Sequence, residues 1–160
     1  MEPIVSRLKL LSVRPFYNYD LYVHSGEAIF LVEPVGKTIV AFIPDSRDVR
    51  KLVGRENSYV DVVIDPLYSE VVGPADTEKP LILEEPKVRK FGSSTYRLIG
   101  RFRKIEGDCG VFECGNLRFQ ECFSGEARWI ELKNVRFYGY LPETYWRMLR
   151  EASRLIKEEE

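Results

Sequence analysis

Between Thr38 and Tyr68 the apolar positions change period twice. The run Ile39-Val40-Ala41-Phe42-Ile43 is short, continuous and bounded by turn residues, which suits a strand, and Pro44 ends it. Asp45 and Ser46 can each cap a helix, and Val49, Leu52 and Val53 then fall on one helical face up to Gly54. Tyr59-Val60-Asp61-Val62-Val63-Ile64 is β-branched and aromatic, a second strand that the pattern stops at Asp65-Pro66. A short helix set between two strands presents backbone N–H groups at its start, beside Ser46, Arg47 and Lys51, where an anion can sit.

Around this unit the chain reads as strands and turns. Leu8–Val13 and Ala28–Val32 are strand candidates, and Val35-Gly36-Lys37 is a tight turn joining the second to the Thr38 strand. The proline-bearing stretch 73–86 reads as a long loop. From Thr95 to Ile105 the pattern alternates, with Tyr96, Leu98 and Phe102 sharing one face and Arg97, Arg101 and Arg103 the other. Gly100 is expected to bulge there. Further short strands follow at Val111–Cys114, Leu117–Gln120, Trp129–Leu132 and Val135–Tyr138, with turns at Gly107-Asp108 and Gly115-Asn116. A series of short strands favours a closed barrel, because closure removes exposed edges. Pro142 opens a C-terminal helix with Tyr145, Met148, Leu149, Ala152, Leu155 and Ile156 along one stripe, and residues 158–160 are expected to fray. The leading expectation is that this stripe packs on the chain's own barrel, and the alternative is a partner subunit. The chain thus divides into a barrel over 1–140 and a helix of the same domain over 141–160.

At 160 residues, 44% hydrophobic and 31% charged, the composition is that of one globular domain with a real core. No apolar run reaches the roughly 20 residues that span a bilayer, and the opening MEPIVSRLKLLSV carries Glu2 and too short an apolar segment for a signal peptide, so the expected location is the cytoplasm. A formal charge of −1 provides no global field toward nucleic acid or an anionic membrane. Scarce Asn and Gln against abundant Glu, Lys, Arg, Tyr and Val point to a thermophilic source. Cys109, Cys114 and Cys122 match no common zinc spacing, and His24, the single histidine, is remote in sequence. Buried free thiols are the leading reading, with a Cys109–Cys114 bridge across a hairpin and a metal site as alternatives. With His24 as the single histidine, no Ser-His-Asp or Cys-His arrangement is expected, and no P-loop or dinucleotide glycine pattern occurs, so hydrolase and nucleotide-triphosphatase readings are poor.

Leu52 to Tyr68, ending in YVDVVIDPLY, resembles the "NL…VVNVTDDP.LF" segment of a small, uncharacterised archaeal family with the FMN-binding split-barrel fold of flavin reductases and pyridoxamine-phosphate-oxidase-like proteins. STYRLIGRFRKIEGD at 94–108 and YWRMLREASRL at 145–155 resemble that family's later strand and C-terminal helix. The resemblance implies a mainly β, antiparallel split β-barrel with a short inserted helix and a C-terminal helix, homodimeric and FMN-binding, and possible flavin-dependent oxidoreductase chemistry. In that reading Ser46 and backbone donors hold the flavin phosphate, Arg47, Arg50 and Lys51 supply charge, and Asp65 lies beside the ring. Two alternatives remain. One is a nucleic-acid-binding barrel of the OB type using Arg97, Arg101, Arg103 and Lys104 with Tyr96 and Phe102; the other is a homodimeric scaffold without cofactor.

Overall fold

The computed structural model describes residues 2–87 and 94–159. Three strands, β1 (Ser6–Tyr17), β2 (Val23–Val32) and β3 (Lys37–Ile43), form an antiparallel meander whose inward positions include Leu8, Leu10, Ala28, Phe30, Ile39 and Ala41, all fully buried. Helix α1 (Ser46–Leu52) follows at once, and β4 (Tyr59–Pro74) returns along β1. The last strand, β9 (Trp129–Tyr140), pairs antiparallel with β4 and parallel with β3, through Ala41–Phe137 and Phe42–Tyr138. The circuit β1-β2-β3-β9-β4 is a closed five-stranded barrel. The sheet is therefore mixed, where a wholly antiparallel split barrel was expected.

The parallel seam is short, and a side chain extends it. The buried Tyr96 hydroxyl accepts a hydrogen bond from the Val40 N–H at 2.9 Å, satisfying a donor that the β3–β9 pairing leaves over. One end of the barrel is closed by α1, whose Val49 and Leu52 are buried. Gly26 on β2 permits this approach: a Cβ there would stand 2.9 Å from the Arg14 carbonyl oxygen and 3.1 Å from a Val49 methyl.

Between β4 and β9 the chain adds β5 (Leu81–Glu84), β6 (Tyr96–Glu106), β7 (Cys109–Cys114) and β8 (Leu117–Cys122). β5 falls inside the stretch expected to be loop. The β6-β7-β8 meander extends the sheet from the first half of β9, and β8 folds back toward β1. There the Ser6 hydroxyl donates to the Arg118 carbonyl and accepts from the Arg118 N–H, while Glu33 and Asn116 exchange two hydrogen bonds. Phe112, Phe119, Leu117 and Leu132 under this flap join the barrel interior in one continuous core.

Four further expectations about strands and cysteines are corrected. β4 does not stop at Asp65-Pro66: it runs on to Pro74 alongside β9, absorbing the proline through a register shift between Pro66 and Tyr68. The two expected strands 129–132 and 135–138 are one, β9, bent at Asn134, which takes a φ of 54°. Gly100 does not bulge. Pairing with β9 is regular from Leu98 to Arg101, and the glycine makes room for Phe112, whose ring would lie 2.5 Å from a Cβ. Finally, the cysteines pair as Cys109–Cys122, directly opposed residues on β7 and β8, and Cys114 alone is free and buried, its thiol pushed up to about 12 by desolvation.

Helix α2 (Pro142–Glu159) begins with proline as expected, and its first turn is rooted on α1. It continues through Glu158 and Glu159, where fraying was expected; Glu160 lies outside the described residues. Of the stripe, Tyr145 packs on the barrel against Tyr140, while every residue of 148–159 is exposed, so the packing expected of the whole stripe stops at the first turn. No helix among the described residues is long and apolar enough to cross a membrane.

Candidate functional site

The α1 turn brings the expected phosphate ligands together, and their partners lie within the protein. Asp45 is the N-cap, and its carboxylate accepts from the backbone N–H groups of Arg47 at 2.9 Å and Asp48 at 3.2 Å. Those are the donors an anion would need. Asp45 also pairs with the Arg47 guanidinium at 3.4 Å and with Arg147 of α2 at 3.6 Å. Backbone and Arg47 hydrogen bonds outweigh its partial desolvation and hold its carboxyl below the usual range. Lys51 reaches Glu143 at 3.9 Å, Ser46 is half-buried in the first turn, and Arg50 is exposed. Asp48, buried at 1% exposure, accepts from the Leu141 N–H at 3.0 Å and from the Thr144 hydroxyl at 2.6 Å. The turn is the joint between α1 and α2, with an acidic group at its centre.

Asp65 lies apart from that joint, in a cleft of about 290 Å³ with Ser69, Glu121, Cys122 and Tyr145. Burial alone raises its carboxyl above the ordinary range. Neighbouring Tyr140 is pushed up to about 12, first by burial and then by the charge of Asp65. Both charged groups lining this cleft, Asp65 and Glu121, are carboxylates, a poor lining for a phosphate.

On β6, Tyr96 and Phe102 point into the core, at 2% and 5% exposure, while Arg97, Arg101 and Arg103 face solvent. The parity expected from the sequence holds, so this strand offers a cationic row without aromatic rings. Arg97 is further tied to Glu131 at 2.7 Å.

A different surface combines the two properties. Arg14 on β1, Glu27 on β2, Phe42 on β3 and Tyr138 on β9 are consecutive cross-strand neighbours, forming one row over the outside of the barrel. Direct neighbours in a sheet share a face. The Phe42 and Tyr138 rings lie 5.2 Å apart at 56°, and the Arg14 guanidinium sits 5.2 Å over the Phe16 ring while pairing with Glu27. Phe16, Val40, Phe42, Tyr138 and the exposed Arg136 line a groove of about 360 Å³, with Ser94 at one side. Beyond Phe16, the end of β1 and the β1–β2 connection carry Tyr17, Tyr19, Leu21 and Tyr22, all solvent-exposed, on a turn held by the Asn18 side chain, which accepts from the Asp20 and Tyr22 N–H groups at 3.0 Å.

None of this row follows from reading residues 39–43 simply as one apolar strand. The signal was present as period 2: Ile39, Ala41 and Ile43 point inward, and Val40 and Phe42 must then point out. The run PFYNYDLY at 15–22 is a second signal, since three tyrosines around a polar turn have no core to enter.

No family model matches the chain, and neither a curated protein nor a solved structure is significantly similar to it.

Proposed function

We propose that the protein is a ligand-binding barrel of the OB type that takes single-stranded nucleic acid across the outer face of β1, β2, β3 and β9. The carrying observation is the Arg14-Glu27-Phe42-Tyr138 row with Phe16 and Arg136 beside it. Unstacked bases lie on aromatic rings, and each such contact is worth roughly 1–3 kcal/mol regardless of base identity. The strand 2–3 face and the loop between strands 1 and 2 are the surfaces on which OB barrels take oligonucleotides and oligosaccharides, and here both carry exposed aromatic side chains. A helix is set between the third and fourth barrel strands, and none of its residues lines the groove.

With a net charge of −1 and two arginines at the groove, stacking rather than phosphate neutralisation supplies most of the binding. Fluorescence anisotropy of a labelled single strand of about 12 nucleotides, within the usual span of such barrels, tests the reading directly. The single strand should bind at micromolar concentration and the duplex of the same sequence should not compete. Equal binding of both would count against the stacking groove.

A second reading draws on the same rings. A split-barrel FMN protein, as the resemblance implies, would need a flat aromatic wall and a nearby cation, and Phe42, Tyr138 and Arg136 offer them. Its phosphate at Ser46 and Arg47 would have to displace the Asp45 carboxylate from the helix start, which ranks the flavin below the oligonucleotide. Titration with FMN, followed by quenching of its fluorescence, separates the two.

A further inference from the structure

Beyond its first turn, helix α2 leaves the barrel as an amphipathic rod whose apolar side is exposed among the described residues. Its root is fixed by the Asp48 hydrogen bonds, the Arg147–Asp45 pair and the Tyr140–Tyr145 ring contact, 5.6 Å between centroids. Beyond that root, Met148, Leu149, Leu155 and Ile156 are 41–61% exposed. The part beyond the root, residues 148–159, is of a length that is marginal as an isolated helix in water without a packed face. We propose that a second copy of this chain covers it, forming a two-fold dimer through α2.

The spacing of the stripe is what points to a copy of itself. Met148, Leu149, Ala152, Leu155 and Ile156 stand at −4, −3, 0, +3 and +4 about Ala152, so the apolar pattern reads the same in both directions. A two-fold interface requires such a self-matching patch. Ala152, the smallest member, lies at the centre, where two helix axes approach most closely. At about 100° per residue the five positions fill a sector of roughly 120°, and Arg147, Arg150, Arg154 and Lys157 all fall on the opposite half. The back of the helix also carries Glu143, Glu151 and Glu158, so its charge is nearly balanced and nothing draws the apolar face to an anionic lipid surface. The exposed part of the stripe amounts to about 500 Å² per copy, and a pair buries roughly 1,000 Å², the lower bound for a specific interface.

Light scattering and sedimentation of the full chain test this. Between about 1 and 100 μM the protein should weigh twice 18.7 kDa. Leu155→Glu and Ile156→Glu, at positions more than half exposed in the single chain, should each raise the dimer dissociation constant by about 100-fold with the melting of the barrel unchanged, because each forces a charge into the seam. Ala152→Cys should cross-link to its own copy under mild oxidation on a non-reducing gel, Cys114 being buried. A single-chain mass at 100 μM overturns the proposal. So does a dimer that survives Leu155→Glu, or one in which Ala152→Cys fails to cross-link, since the copies would then meet elsewhere.

Discussion

Phe42 and Tyr138 face each other across the parallel seam that closes the barrel, their ring centroids 5.2 Å apart on its outer surface. The pair sits where β3 and β9 meet, so the ring floor is braced by the core residues Ala41 and Phe137 directly behind it. Removing either ring should weaken single-strand binding by about 1–3 kcal/mol. Phe42→Ala and Tyr138→Ala, measured by anisotropy against the wild type, check this, and their melting curves show whether the barrel is intact.

Salt dependence separates charge from stacking. Arg14 is paired with Glu27 and Arg136 is exposed, so one to two phosphates are neutralised, giving a slope of log K against log salt between about −0.7 and −1.4 for a single strand. Arg136→Ala should flatten that slope by about 0.7. A wild-type slope of −4 or steeper would mean a larger cationic surface, such as the Arg97–Arg103 row, carries the binding.

The seam itself has a test. Tyr96→Phe leaves the Val40 N–H without its partner in the interior and should destabilise the fold by about 1–3 kcal/mol. Amide exchange at Val40 should quicken more than at Ala28 or Phe30 in the same barrel.

Asp48→Ala removes the acceptor for both the Leu141 N–H and the Thr144 hydroxyl and should cost about 3 kcal/mol, with loss of α2 helicity by circular dichroism. Asp48→Asn retains an oxygen acceptor and should cost less.

Much of this was legible in the chain. The meander, α1, the hairpin turns and the C-terminal helix came from period and punctuation, which are local properties. The closing pair β3–β9 was not, because period 2 tells which way a side chain points and not which distant strand lies beside it. For the same reason β4 was cut short: Pro66 reads as a stop, yet a bulge against β9 carries the strand past it. Three cysteines permit three pairings, and only the β7–β8 register, with Cys109 opposite Cys122, selects one. At the α1 turn, donors and cations were visible in sequence, while the sequence left open whether Asp45 or Ser46 is the cap that occupies those donors. The outer aromatic row needed four strands in register before it existed at all.

The pH dependence of stability carries a defined sign at Asp65. Its folded carboxyl holds a proton more tightly than the ordinary value of 3.8, because burial penalises the charge. Its favourable contribution is thus complete below that value and is lost as pH rises through the raised folded one. Asp65→Asn should be more stable than wild type at pH 7 and lose that advantage near pH 3, as thermal melts across pH will show.

Anisotropy of one labelled single strand, titrated in parallel with wild type, Phe42→Ala and Tyr138→Ala, bears most directly on the outer row as the binding surface. Micromolar binding by the wild type with a loss of roughly 5- to 150-fold in each variant, at unchanged melting temperature, is the expected result. Wild-type binding that both variants retain, or FMN binding at micromolar concentration with no affinity for the oligonucleotide, would contradict it.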